Sequence, residues 1–316
     1  MVRRLTPPVL LGSAMLVAGT MMQVRAQAQT PVRRDSIVRG TAFHHLSLTS
    51  ILMSRADDNV NRDTIGTLSV GGIAGISARL ASSANRPWVV LEYDAAVHRY
   101  SATTRFSRVS QRARSTLSAR LSRHWGLDLV TEGARGGSSE DRDVSDQFSV
   151  LPRLEYRIDG ARRLRFGVSQ RWRRYPTDSL QNATNRYASA EFRHRLSDGA
   201  AFEAEVRLER NDARGPRNDF RRPTISTVYV TPVGKRAVLE VGMQYRSQRY
   251  SGRLVEIDDE DFPRIDQRLQ PSVSLQVRVA GSDLELGYEP EWRQSNDPTK
   301  SLSQNLLLVG VRRRWF

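Results

Sequence analysis

The sequence predicts an all-β chain, a transmembrane antiparallel up-and-down β-barrel of 14 strands, with 12 and 16 as the neighbouring counts. Three observations carry this expectation. Apolar and polar residues alternate with a period of two from about residue 42 to residue 316, and no long stretch has a helical period. Tight turns alternate with longer polar connections, as in a barrel with short turns on one side of a membrane and loops on the other. The face opposite the apolar one is dense in charge, and arginine cannot face lipid at mid-membrane without a cost of about 2–4 kcal/mol.

Composition narrows the alternatives. The chain has 316 residues and no cysteine, which excludes disulfide scaffolds, thiolate zinc sites and cysteine nucleophiles. Its mean hydropathy of −0.51 excludes a bundle of membrane helices but not a barrel, whose interior is polar. The net charge is +15, and all the basic residues except Lys235 and Lys300 are arginine. The arginines are spread along the chain between apolar residues. They form no stripe or tail of the kind that follows a phosphate backbone, so nucleic acid is not an expected partner.

Residues 1–28 read as a secretory signal peptide. Arg3 and Arg4 precede an uncharged stretch with an apolar core at 9–18, and Ala26-Gln27-Ala28 is an A-x-A cleavage site. Removal would leave a chain beginning at Gln29. Residues 29–41 are a short periplasmic N-terminal segment, too short for a plug, and the barrel occupies 42–316.

The elements follow in order. The first strand, near 42–54, has the weakest pattern. The cluster Gly71, Gly72 and Gly75 falls inside the second strand pattern with no helix after it, so it is no phosphate loop. Val89, Leu91, Tyr93, Ala95 and Val97 then alternate with Glu92, Asp94 and His98. Phe202, Ala204, Val206 and Leu208 face away from Glu203, Glu205, Arg207 and Glu209. Val273, Leu275, Val277 and Val279 alternate with Ser272, Ser274, Gln276 and Arg278, and Leu284, Leu286, Tyr288 and Trp292 oppose Glu285, Glu289 and Glu291. Short turns are expected at 82–86, 124–126, 159–162, 197–200, 232–236 and 280–283. Longer connections are expected at 55–65, 133–147, 176–185, 211–222, 251–266 and 295–303, with a brief link at 101–105. An even strand count places both termini in the periplasm.

Aromatic spacing gives an independent check. Trp172 lies eight residues beyond Leu164 and Trp292 eight beyond Leu284, on the same face. Eight tilted residues span roughly 20 Å, close to the roughly 25 Å apolar band between two aromatic girdles. Trp88, Trp125 and Trp315 would mark the opposite, periplasmic girdle.

The last residues, Asn305 to Phe316, end in an aromatic residue after an outward phase of Leu307, Val309, Val311 and Trp315. In this and in its layout the mature chain resembles the bacterial single-chain outer-membrane β-barrels, in a porin-like form. The resemblance implies that Phe316 is the signal read by the barrel assembly machinery. It also implies outer-membrane lipid and lipopolysaccharide as surroundings, and small solutes as cargo. Arg314 stands where these barrels usually carry an apolar residue, and Arg313 interrupts the outward phase.

The charged face is the candidate site: a lumen lined by Arg193, Arg195, Glu203, Glu205, Arg207, Arg278, Glu285 and Glu289. Centring the hairpin at Gly199 on an Asp198–Ala200 pair sets Arg195 opposite Glu203, Arg193 opposite Glu205 and Glu191 opposite Arg207. Pairing Val279 with Leu284 sets Arg278 opposite Glu285. At 159–162, pairing Ile158 with Leu164 sets Arg157 opposite Arg165, and a two-residue shift brings in Glu155. Inward arginines outnumber inward acids, which predicts a weak anion preference in a passive, porin-like channel.

Other classes have weaker marks. A non-conducting barrel acting as adhesin, anchor or partner subunit would share the charged interior as a ladder network. An outer-membrane lipid-modifying hydrolase would need a rim histidine. Of the five, His98, near Asp94 and Ser101, has the right height. His44 and His45, with its H-x-S spacing to Ser47, sit at the inner end, His124 opens a turn and His194 faces lipid. The expectation is no enzyme and no cofactor. Asp57, Asn59, Asn61 and Asp63 imitate a calcium loop, but Arg62 and Leu68 replace the required Gly and Glu. No metal site is expected there. The acidic stretch of Glu256 and Asp258 to Asp261 is a solvated loop, or a divalent-ion bridge to lipopolysaccharide.

Overall fold

The computed structural model describes residues 45–59, 68–82, 88–101, 107–138, 144–196, 199–257 and 259–315. The expected leader and N-terminal segment, His44, Asn61, Asp63, Asp198, Asp258 and the terminal Phe316 lie outside the described residues.

Fourteen antiparallel strands close into one barrel, each paired with its neighbours in the chain and the last with the first. They are β1 (His45–Asp57), β2 (Ser69–Ala81), β3 (Val89–Tyr100), β4 (Arg108–Arg120), β5 (Trp125–Ser138), β6 (Val144–Arg157), β7 (Arg162–Arg174), β8 (Ala183–Arg195), β9 (Ala201–Ala213), β10 (Phe220–Val233), β11 (Ala237–Ile257), β12 (Glu260–Val279), β13 (Ser282–Ser295) and β14 (Leu302–Arg314). The count and the closed topology are those the alternation predicts.

Period two sorts the side chains between the two surfaces. Leu52, Ile76, Val109, Val168, Leu208, Met243 and Leu286 are exposed on the outside. Arg55, Glu155, Arg193, Arg246, Glu285 and Glu291 are buried on the inside. In β14 the two phases settle the doubt raised by its arginines. Leu307, Val309, Val311 and Trp315 point outward, while Leu306, Leu308, Arg312 and Arg314 follow the inward phase. Arg313 points outward at the short-turn rim, with its guanidinium 4.4 Å from the Trp315 ring centroid.

Three hairpins correct or complete the sequence reading of register. Around Gly199 (φ +85°), the turn closes one pair earlier: Leu196 N–H donates to Ala200 C=O at 2.8 Å. Arg193 therefore faces Glu203, Arg195 faces Ala201 and Glu191 faces Glu205, a two-residue offset from the expected pairs. Between β12 and β13, Ala280 (φ 47°) and Gly281 (φ 80°) form a two-residue turn with both φ positive, the type I′ geometry that matches strand twist. Arg278 thus faces Asp283 instead of Glu285. At 158–161 the shifted alternative holds, with Glu155 opposite Arg165. There Asp159 Oδ1 accepts from the amides of Ala161 and Arg162, at 2.8 and 2.7 Å. Hydrogen bonds from the Arg162 side chain and from these amides hold the Asp159 carboxyl down at about 2. Each offset is of two residues, so every side chain keeps its face.

The connection expected at 251–266 is mostly strand. β11 and β12 run on past the rim as a projecting hairpin, with a register shift between Arg249 and Leu254. The loop at 214–219 docks on it. Ser251 N–H donates to Asp219 C=O at 3.2 Å, and Arg253 donates to Arg217 C=O and Asn218 Oδ1 at 2.8 and 2.7 Å.

The seam between β13, β14 and β1 is the apolar part of the interior. Met53, Ile73 and Leu308 pack together, with Ile51 and Ala96 against them. Leu308 is 1% exposed and lies over Gly287, where an added Cβ would meet its Cβ and Cγ at 2.9 and 3.0 Å. Gly287→Val should therefore impair closure, read as loss of the fast-migrating unheated form on a detergent gel. Leu308→Ala in the same chain should restore it. A Gly287→Val single variant that closes like the parent would contradict this packing.

Candidate functional site

On the wall formed by β2 to β9 the inward charges form a ladder. Arg79 pairs with Glu92 at 3.6 Å, and Arg114 lies between Glu92 and Glu132 at 3.9 and 3.8 Å. Arg112 donates from Nε to Asp94 at 2.9 Å, and Arg153 bonds Asp128 at 3.2 Å. Glu155 gathers Arg157, Arg165 and Arg163 at 2.7, 2.9 and 3.7 Å, and Arg165 reaches on to Glu191 at 3.3 Å. Arg193 meets Glu203 at 2.7 Å, and Arg207 meets Glu205 two positions along its own strand at 3.1 Å. Arg165 on Glu191 and Arg207 on Glu205 relieve the like-charged Glu191–Glu205 pair that the register creates.

Toward the long-loop end the interior is more tightly packed. Arg222 bonds Glu209 at 2.6 Å with both side chains 3% exposed. Asn185 donates to Glu209 and to Asn211 at 2.9 and 2.6 Å, and Arg222 donates to Gln248 at 3.4 Å. Arg264 bonds Asp266 at 2.8 Å, Ser295 Oγ donates to the same carboxylate at 2.7 Å, and Arg268 meets Glu291 at 3.1 Å. Across the seam Gln304 donates to Asp57, and over β2 Arg55 Nη1 donates to Tyr100 Oη at 2.8 Å.

All eight residues expected to line the lumen lie on the inward phase. Arg278 stands at the short-turn rim, paired with Asp283 at 3.0 Å. Glu285 is buried and receives Arg312 at 3.4 Å. Not anticipated were Asn185, Asn211, Arg222, Gln248, Arg264 and Asp266. Their positions fell in the expected long connections or at their edges. For Arg264 and Asp266 a signal is present: with Arg268 they alternate with Ile265 and Leu269, broken only at Gln267.

Many of these groups are buried without full hydrogen bonding. Among the described residues, Arg114, Arg153, Arg163, Arg193 and Arg312 each hold a buried Nε with no protein acceptor. Buried polar atoms are almost always satisfied by protein or by ordered water.

The histidines assemble less. His98 is buried on the inward face with Nε2 at 2.9 Å from Ser110 Oγ. Its Nδ1 has no acceptor among the described residues, and the expected neighbours are engaged elsewhere: Asp94 by Arg112, and Ser101 Oγ by the Val70 amide. A histidine base without an orienting acceptor lacks the third member of a triad. His194 is on the outer phase beside Phe192, and His124 Nδ1 lies 2.9 Å from Arg157 C=O in a turn. Among the described residues no group of three or more acidic or imidazole side chains is placed to hold a metal. Glu256 faces Asp261 at the exposed hairpin tip.

Trp125 and Trp315 by the short turns and Trp172 and Trp292 toward the long loops follow the outward phase and are exposed, whereas Trp88, also exposed, lies in the turn before β3 on the position alternate to outward Val89 and Leu91. Trp125 packs on Tyr156 at 4.7 Å and Trp172 stacks on Phe148 at 5.7 Å.

No family model and no curated protein matches the chain. Among solved structures it is similar to OmpT, an outer-membrane protein of Vibrio cholerae, at 12% identity over 89% of this chain and 100% of that one, with a TM-score of 0.49. It is also similar to an anion-selective porin from Comamonas acidovorans (9% identity, 86% and 99% covered, TM-score 0.45). A third is OprD, an outer-membrane protein of Pseudomonas aeruginosa (10%, 85% and 93%, TM-score 0.42).

The Arg222–Glu209 pair sets a stability test. Removing one member of a buried pair strands the other charge and costs about 3–5 kcal/mol. Arg222→Met should lower the urea midpoint in lipid vesicles clearly, and Arg222→Met with Glu209→Gln should recover part of the loss. Equal midpoints for the parent and the single variant would show that water already satisfies both groups.

Proposed function

We propose that the protein is a passive, porin-like channel of the bacterial outer membrane, admitting small hydrophilic solutes with a weak preference for anions. The observation that carries this reading is the inward face itself. It is predominantly polar and charged on the β4 to β9 wall, where inward arginines and carboxylates of neighbouring strands alternate. The exposed apolar outer phase, with tryptophans at both ends, suits a bilayer and its interfaces. In this reading the leader is removed before Gln29, the short turns and both termini face the periplasm, and Phe316 serves as the assembly signal. Outer-membrane lipid and lipopolysaccharide surround the barrel.

The anion preference follows from sign and screening. By strand phase, arginine exceeds acid on the inward face, but the ion pairs above neutralise much of it. Low-dielectric walls focus the remainder, and salt screens it beyond about 10 Å at 0.1 M. The second reading, a barrel that does not conduct, is favoured by one observation: Asn185, Arg222, Arg246 and Glu291 are each at most 3% exposed, so the long-loop half is closely filled.

Planar-bilayer recording of the purified barrel separates the two. The channel reading expects ohmic conductance, with a reversal potential of anion-selective sign in a potassium chloride gradient that shrinks as total salt rises. A cation-selective sign would refute the assigned charge balance. Silence in every salt, from protein that is folded by its gel mobility, would favour the filled barrel.

A further inference from the structure

The outer surface carries a second arginine array that the channel reading does not use. Arg186, Arg210, Arg221 and Arg249 are direct cross-strand neighbours on β8, β9, β10 and β11, in that order. All four follow the outward phase and are exposed. Like charges placed directly opposite one another repel and destabilise a sheet. The chain answers with one carboxylate: Asp212 meets Arg210 at 2.6 Å and Arg186 at 3.4 Å. Arg221 and Arg249 have no ion pair among the described residues.

The position of the row is as specific as its charge. Asp212 is paired with Thr184, which is paired with Trp172 of the long-loop girdle, so Arg186 and Arg210 stand two residues to the mid-membrane side of that belt, a distance a long guanidinium side chain spans to reach the headgroups. Aromatic belts mark the headgroup level of a bilayer. Below Arg186, Arg210 and Arg221, which form its upper edge, lies an open groove of about 750 Å³, with Arg249 at the end of the row beyond it. Its floor includes Val168, Ala188, Leu208 and Pro223, the next outward residues toward mid-membrane. The small Ala188 sits between Val168 and Leu208, which are 59% and 61% exposed.

Cations at headgroup level over an apolar trough fit one kind of molecule. We propose that Arg186, Arg210, Arg221 and Arg249 bind the phosphate of a phosphorylated membrane lipid, whose acyl chains lie in the groove below. Guanidinium forks match phosphate oxygens bidentately, and a dianionic group between Arg210, Arg221 and Arg249 supplies the countercharge that Asp212 cannot. A second copy of this chain is the poorer occupant, because a two-fold contact through this patch would set the row against itself. The inference rests on the outer face contacting lipid and does not depend on whether the lumen conducts.

Native mass spectrometry of the detergent-released barrel tests it, with bis-phosphorylated lipid A, dephosphorylated lipid A and inorganic phosphate as probes. The phosphorylated lipid should be retained at least tenfold better than the dephosphorylated one, and excess inorganic phosphate should displace it poorly because the acyl chains contribute. Replacing all four arginines with glutamine should remove the tenfold preference. These side chains are solvent-exposed on the outer phase, and unheated gel mobility reports whether the variant closes. Asp212→Asn, which removes the competing carboxylate, should tighten retention of the phosphorylated lipid severalfold and so tests the site without removing an arginine. Three results would overturn the proposal: equal retention of both lipids by the parent, no loss in the quadruple variant together with no gain in Asp212→Asn, or full displacement by phosphate alone.

Discussion

The pairing of β1 with β14 is the contact on which the rest depends. In hydrocarbon every backbone amide and carbonyl must find a partner within the protein, and a sheet achieves this only when its two edges meet. Here they meet along nine residue pairs, from Thr49–Arg314 to Asp57–Leu306. Closure fixes which side of each strand is inside, and it makes the inside small. The seam meets that demand with an apolar fill of Met53, Ile73 and Leu308 and with Gly287, whose missing side chain admits Leu308. The remaining wall meets it with charge, and charge enclosed by a wall must find opposite charge or water. The ladder from Arg79 to Glu203 and the buried pairs of Arg222, Arg264 and Arg268 are the result.

Faces were legible in the sequence and partners were not. Alternation assigns each residue to inside or outside without reference to its neighbour, so fourteen strands, their phases and the inward charges could be read from residues alone. Partners depend on turn geometry. At Ala280–Gly281 two consecutive positive φ angles make a two-residue turn, tighter than the 280–283 turn implied by pairing Val279 with Leu284, and Arg278 is delivered to Asp283. At Gly199 the offset has the same size, and Arg193 is delivered to Glu203. An error of two leaves the face unchanged, which is why the lumen assignment survives register errors that break individual pairs. The extended β11–β12 hairpin was misread because polar composition suggested a loop. The strands continue there because Leu254 to Ile257 pair with Pro263 to Glu260, while Ser251 and Arg253, in the register break, bond the 214–219 loop.

The same residue type serves two opposite purposes in this wall. Inward arginines lie among carboxylates of neighbouring strands. Outward arginines on β8 to β11 lie among one another, with Asp212 as their one ion-pair partner among the described residues. Sequence gives the phase of each, but only the pairing of four successive strands shows that Arg186, Arg210, Arg221 and Arg249 form a row. The inner set bears on what passes through the barrel, and the outer set on what surrounds it.

The claim beneath all of this is that the charged face meets water and the apolar face meets lipid. The chain has no cysteine, so single cysteines can be placed along one strand without background. On β8, Tyr187 and Ser189 face in, and Arg186, Ala188 and Ala190 face out. Cysteine introduced at each of these five positions, with the barrel in liposomes, would be treated with a small, charged, water-soluble maleimide. The account predicts labelling at 187 and 189, protection at 188 and 190, and intermediate reaction at 186 near the headgroups. Uniform labelling, or labelling with the phases reversed, would contradict it.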